Sequence, residues 1–140
     1  MEGLVAQTDN PSFLAKSKDK KFLLTVNEIG RKDDGTIESY AIYHNILTFI
    51  ERKSSGGKFP CFVTVNSYGH VLTANYGDGT IGFLELGTNE KLSDLMDVMQ
   101  HIGRGTRPRQ TGPHAHSVWF EAYEMELISN DLATNEPWFS

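Results

Sequence analysis

Asn10-Pro11-Ser12-Phe13-Leu14-Ala15-Lys16, leading to Val26-Asn27-Glu28, is echoed twice further along the chain. The second copy runs Phe59-Pro60-Cys61-Phe62-Val63-Thr64-Val65 and leads to Ala74-Asn75-Tyr76; the third runs Gly112-Pro113-His114-Ala115-His116-Ser117-Val118 and leads to Asn130-Asp131-Leu132. Pro11, Pro60 and Pro113 open the three copies. A repeat of about fifty residues marks a radial or stacked architecture, in which one supersecondary unit cannot bury its own apolar face and leans on copies of itself.

Each copy begins with a run rich in aromatic and β-branched residues that reads as a strand: Ser12 to Lys16, Cys61 to Val65 and His116 to Phe120. Polar turn residues follow in Ser17-Lys18-Asp19-Lys20, Asn66-Ser67-Tyr68-Gly69 and Glu121-Ala122-Tyr123-Glu124. Phe22 to Val26 and Val71 to Ala74 then read as second strands, antiparallel to the first. Asp33-Asp34-Gly35-Thr36 and Gly77-Asp78-Gly79-Thr80 are hairpin signals that lead into third strands, Ile37 to Ile42 and Ile81 to Leu86. Leu47 to Arg52 makes a fourth. Four short antiparallel strands per repeat form the blade of a β-propeller. The expected fold is therefore all-β, residues 1–140 forming about two full blades and most of a third, near 9–55, 58–104 and 112–140, in an incomplete ring.

Two stretches test this scheme. Ser93 to His101 has an N-cap-like serine and apolar residues at helical spacing, yet its place in the repeat matches Leu47 to Arg52. A fourth strand over Leu95 to His101 is expected, tertiary context overriding local propensity. The stretch from Phe62 to Asn75 is one residue shorter than that from Phe13 to Asn27. Because side chains alternate faces, the turn should absorb the difference. An arc of blades also leaves sheet edges open to self-association. The chain is then either a piece of a longer protein or assembles with other copies; the third copy stops at Glu136-Pro137-Trp138-Phe139-Ser140, near its third strand, which favours a piece.

The 140 residues, 39% hydrophobic and 22% charged, belong with globular chains and against disorder. No apolar run approaches the about 18 residues of a membrane span, and the start lacks the basic and apolar regions of a secretory signal. No membrane partner is expected, and the cytoplasm is the expected location, although a signal could precede Met1. Cys61 is the single cysteine, so no internal disulfide forms, and it reads as a small buried hydrophobe. A net charge of -5 argues against a nucleic-acid partner.

Gly56 to Asn66, Leu72 to Thr80 and Arg109 to Val118, with the Pro113-His114-Ala115-His116-Ser117 segment and Asn75-Tyr76-Gly77, resemble the lactonase family of seven-bladed propellers. That family includes 6-phosphogluconolactonases and carboxymuconate cycloisomerases. The resemblance covers Asp9 to Ser140 and departs at Asn130-Asp131-Leu132-Ala133, where relatives tend to carry Asp-Leu-Gly, and at the shortened middle copy. It implies a hydrolase that opens a sugar lactone to the sugar acid without a cofactor, with further site residues supplied by later blades.

In a propeller blade the innermost strand descends from one face, so the loop leading into it and the loop joining strands two and three share that face. Gly103 to His114 should therefore ring one mouth of the channel together with Asn27-Glu28, Asn75-Tyr76 and Asp131. His114 and His116, two apart, should point the same way on a regular strand. Paired imidazoles can ligate a metal, move a proton or bond loop backbone. No third ligand stands at a telling distance, so no metal is expected.

Arg104, Arg107 and Arg109 concentrate positive charge just before the histidines. Arginine forks suit carboxylate or phosphate; any single one of the three reads first as a solvated loop residue, and Arg109, nearest the histidines, is the one to choose if one binds. Asn27, Asn75 and Asp131 occupy equivalent places where short polar side chains bond their own turns, while Glu28 and Tyr76 follow them and could reach the mouth. His44, His70 and His101 show no partner pattern and read as surface or packing residues. With the resemblance added, His114 and His116 are the candidate catalytic residues. Arg109, Asn27, Glu28, Asn75, Tyr76 and Asp131 are the candidate substrate contacts. A sugar-acid binding module without turnover and a carboxymuconate-type cycloisomerase remain as alternatives to the hydrolase.

Overall fold

The computed structural model describes residues 6–32, 34–44 and 46–140 and arranges them in three antiparallel sheets. The first sheet runs in the order β1 (Pro11–Lys16), β2 (Phe22–Asn27), β3 (Thr36–Tyr43) and β4 (Ile46–Ser54). The second repeats the order with β5 (Pro60–Val65), β6 (His70–Asn75), β7 (Thr80–Glu85) and β8 (Asp97–Gln100). The third holds β9 (Ala115–Phe120), β10 (Leu127–Asp131) and β11 (Pro137–Phe139). The first strands of the sheets, β1, β5 and β9, pack beside one another, as blades set around a hub require. Asp33, part of the first hairpin signal, lies outside the described residues.

No helix forms at Ser93 to His101. Ser93 N–H donates to Glu85 O at 2.8 Å and Met96 N–H to Phe83 O at 2.9 Å, which delivers Asp97 opposite Phe83 and starts β8. Leu92 and Leu95 meanwhile pack on the core between the first two sheets. The strand is shorter than its sequence suggests because this anchoring occupies the residues before Asp97. The missing residue of the middle copy is absorbed in the turn: Phe13 opposes Val26 and Phe62 opposes Ala74, and the loss falls between Val65 and Val71.

The third copy does not open where its proline suggests. Pro11 pairs with Asn27 and Pro60 with Asn75, but Asp131 pairs with Ala115, so Ala115 and not Pro113 is the counterpart. Register with β10 decides the start of the strand, and Pro113 instead lies against Gly79, whose positive φ of 69° and lack of a side chain leave room for it. A bulge follows in all three inner strands, at Ser12, Cys61 and His116. Such an extra residue re-aims its side chain out of the regular alternation.

Alternation sorts each sheet into two faces. Leu24, Val26 and Ile37 of the first sheet meet Val63, Val65, Val71 and Leu84 of the second. Phe62, Leu72, Ala74 and Ile81 on the other side of the second sheet meet Ala115 and Val118 of the third. Full burial of each large aliphatic contributes about 1.5–3 kcal/mol. The outer faces carry exposed apolar side chains, Leu14 and Phe49 at one end and Trp119, Ile128 and Phe139 at the other.

Gly82 permits the close approach of the first two sheets, since a Cβ there would stand 2.0 Å from Ser55 O. The obstacle is backbone and cannot swing away. Gly82→Ala is expected to destabilise the protein by about 1–3 kcal/mol in urea unfolding. Gly112→Ala, where a Cβ meets nothing within 4 Å, should leave the midpoint unchanged or raise it.

Candidate active site

One hydrogen bond recurs at the mouth of each blade and fixes where the loops lie. Glu28 N–H donates to Asn10 O, Tyr76 N–H to Phe59 O and Leu132 N–H to His114 O, each at 3.0 Å. Every lead-in loop is thereby tied to the loop joining strands two and three of its own blade, so both sit on one face. The arginine-bearing loop is pinned further by Gln110, which is buried. Its Nε2 donates to Leu132 O at 3.0 Å and to Asn135 Oδ1 at 2.7 Å, and its Oε1 accepts from Arg107 N–H at 3.1 Å.

His114, His116, Tyr76 and Arg109 come together on this face. The ring of Tyr76 stacks on His114 with centroids 4.5 Å apart and planes 11° from parallel, and His116 stands edge-on to it at 6.4 Å. His114 Nδ1 lies 2.7 Å from Tyr76 O. A carbonyl only accepts, so Nδ1 carries the hydrogen, and in the neutral imidazole Nε2 is left with the lone pair. Arg109 Nη2 reaches the Tyr76 hydroxyl at 3.4 Å and is otherwise exposed. The two histidines face the same residue although the strand between them is not regular: His114 precedes β9, and His116 is its bulged residue. Arg104 and Arg107 are also exposed on the loop.

Asn27, Asn75 and Asp131 lie behind the mouth, buried and fully engaged. Asn27 Nδ2 donates to Thr8 Oγ1 and Asp9 O, both at 2.8 Å, and its Oδ1 accepts from Thr36. Asn75 Oδ1 accepts from Ser55 Oγ at 2.7 Å while its Nδ2 donates to Ser55 O at 3.0 Å. Asp131 Oδ1 accepts from the N–H groups of His114, Ala133 and Thr134. Burial pulls Asp131 upward, but these donors and His101 outweigh it and hold its carboxyl below the ordinary value. All three side chains shape the rim from beneath. Glu28, half-buried one blade away, stands near Cys61, whose Sγ lies 3.4 Å from His116 O. Burial first, and the Glu28 carboxylate second, push the Cys61 thiol up to about 11.

His101, read as a surface or packing residue with no partner pattern, is packed inside and has two polar partners as well. It is 1% exposed, with Nδ1 2.9 Å from Asp131 Oδ2 and Nε2 2.9 Å from Ser129 Oγ. Its signal was positional: it follows the fourth strand of its blade as Ser55 follows β4, and both N–H groups bond the glycine before the third strand, Gly79 and Gly35. His44 is exposed at a turn and His70 borders Asn66 and Glu85. Among the described residues no cluster of histidine, cysteine and carboxylate groups could hold a metal ion.

A family model described as Lactonase, 7-bladed beta-propeller, matches residues 1–136. The chain is 28% identical over 136 residues to the 6-phosphogluconolactonase of Bacillus subtilis (strain 168), which spans 95% of this chain and 38% of that protein. It is also 28% identical to the 6-phosphogluconolactonase of Formosa agariphila, over 90% of this chain and 37% of that one. Among solved structures, the periplasmic gluconolactonase of Pseudomonas aeruginosa matches with a TM-score of 0.88 at 27% identity, over 96% of this chain and 40% of that one. A Lactobacillus plantarum protein matches with a TM-score of 0.86 at 30% identity, over 99% of this chain and 39% of that one. The chain thus spans well under half the length of these relatives. With two four-stranded sheets and a third of three strands packed side by side, and a family match along nearly all of its length, the chain belongs to the lactonase family of seven-bladed β-propellers.

Proposed function

We propose that the protein carrying this chain opens a sugar lactone by hydrolysis, with His114 as the group that moves the proton. The observation that carries this reading is the 2.7 Å contact between His114 Nδ1 and Tyr76 O, which leaves Nε2 as a fixed base at the mouth. The names of its relatives, 6-phosphogluconolactonase and gluconolactonase, supply the substrate class. In this mechanism water attacks the lactone carbonyl as Nε2 takes its proton. The tetrahedral intermediate carries a negative oxygen, and His116, edge-on to Tyr76, is the donor offered to it. The ring C–O bond then breaks, and the proton held by His114 passes to the departing oxygen, giving the open hydroxy acid. Arg109, exposed beside Tyr76, holds the anionic end of a phosphorylated substrate.

Cys61 takes no part. With its thiol pushed up to about 11, almost no thiolate exists at neutral pH and no covalent thioester route is available.

The reading is tested by offering 6-phosphogluconolactone and unphosphorylated gluconolactone to the protein and following acid release. His114→Ala should lower kcat by about 10²–10⁴-fold. Arg109→Ala should raise KM for the phosphorylated lactone by about ten- to a hundredfold, with little change for the other. Wild-type kcat in His114→Ala would sink the assignment. Binding without product would make the protein a sugar-acid binder, and ring closure of a muconate-type diacid without lactone hydrolysis would make it a cycloisomerase.

Cys61 makes a separate prediction. Alkylation by iodoacetamide at pH 7 should run at least about a hundredfold slower than for a free thiol and keep accelerating above pH 10. Cys61→Ser should hydrolyse lactone at the wild-type rate. Rapid alkylation at neutral pH, read by mass spectrometry, would contradict the raised thiol.

A further inference from the structure

Ser129, His101 and Asp131 form a hydrogen-bonded trio that the proposed chemistry does not use. Its order is that of a hydrolytic triad, but all three side chains are buried and the imidazole face is covered by Trp138, stacked at 5.0 Å and 8°. No substrate reaches it. A carboxylate only accepts, so His101 Nδ1 donates to Asp131 Oδ2, and the Ser129 hydroxyl completes the ring's partners at Nε2. The other oxygen of Asp131 accepts the backbone N–H of His114 at 2.9 Å. One continuous run of hydrogen bonds therefore leads from the end of β8 to the backbone of the candidate base.

The neighbouring junction shows that this arrangement is more than a generic tie between blades. There the counterpart of Asp131 is Asn75, which bonds Ser55 and Thr80, while the N–H of Phe59, the counterpart of His114, goes to Ile29 O at 2.8 Å. Asn27 likewise bonds Thr8, Asp9 and Thr36. Among the described residues, only the third blade directs this polar side chain onto the residue before its inner strand. Only there does that residue carry an imidazole.

We propose that His101 is a positioning residue for His114, acting through Asp131. The inference rests on the reading of His114 as proton carrier for its kinetic effect, and on geometry alone for its structural one. His101 orients the Asp131 carboxylate; Asp131 sets the height and rotation of the His114 backbone; and this brings Nδ1 to Tyr76 O and aims Nε2 at the mouth.

The test compares His101→Leu, which fills the site without a donor, with His101→Asn, whose Nδ2 replaces Nδ1. With 6-phosphogluconolactone as the probe, His101→Leu should lower kcat about ten- to a hundredfold while KM stays within about twofold, and His101→Asn should restore most of the loss. Imidazole 15N spectra give a readout that does not depend on turnover. His114 should show an Nδ1-protonated pattern in the wild type and in His101→Asn, and lose it in His101→Leu. If His101→Leu does not fold, His101→Ala, smaller and equally without a donor, carries the test through the same spectra. A folded His101→Leu, or in its place His101→Ala, with unchanged His114 signals would overturn the proposal whatever its rate. A wild-type rate in His114→Ala beside displaced signals in His101→Leu would overturn the hydrolytic role of His114 and leave the positioning relation standing.

Discussion

Leu24, Val26 and Ile37 pressing on Val63, Val71 and Leu84 is the contact on which the rest of the molecule depends. A four-stranded sheet has two faces, and in an isolated blade at least one apolar face would be wet. Stacking blades around a hub buries both, so that each sheet serves as the core of its neighbours. This geometry demands close backbone approach at particular points. The position opposite Thr25, Thr73 and Ser129 on the third strand shows how each junction meets that demand. In the second blade it is Gly82, over which the backbone of Ser55 passes; in the third it is Trp138, which holds the chain farther off and lets the ring of His101 lie flat between. In the first it is Glu38, 2% exposed and tied to Tyr40 and Arg52; burial works against its charge, but those partners outweigh burial and keep its carboxyl below the usual value.

Packing alone would let blades slide. Polar links at the mouth end of the second strands stop this: Asn27 to Thr8, Asn75 to Ser55, and Asp131 to His101. The Asn27, Asn75 and Asp131 side chains are buried, and a buried polar group left unsatisfied is costly, so each is held to its own partner. The links stand directly under the loops of the mouth. The bulges add a second registration, since Ser12 Oγ donates to Pro60 O and the Cys61 thiol lies against His116 O on the following inner strand. The candidate site is built upon this framework. Tyr76 and His114 come from neighbouring blades, and their stacking exists only because both junctions are locked.

Much of this was legible in the residues. Repeated proline and asparagine landmarks, β-branched runs and glycine turns gave blades of four strands. Repeat position also predicted a strand where Ser93 to His101 carries helical spacing, and the hydrogen bonds of Ser93 and Met96 to β7 explain why position prevailed. Pro113 misled because a proline marks a stiff, extended residue without saying which partner it faces, and register with Asp131 places Ala115 at the start of β9 instead. His101 was passed over because its partners lie 28 and 30 residues away, beyond any local pattern.

By itself the sequence determined the all-β fold, the number and order of strands within each blade, and the clustering of His114, His116, Tyr76 and Arg109 on one face. These follow from alternation, turn chemistry and repetition, which act over a few residues or recur from copy to copy. The tertiary structure alone decided which polar residues face the mouth and which lie beneath it, which imidazole nitrogen is free, and that His101 reaches His114 through Asp131. Those outcomes depend on how closely two sheets approach and where a bulge turns a side chain, distances that arise only when separate blades pack against one another.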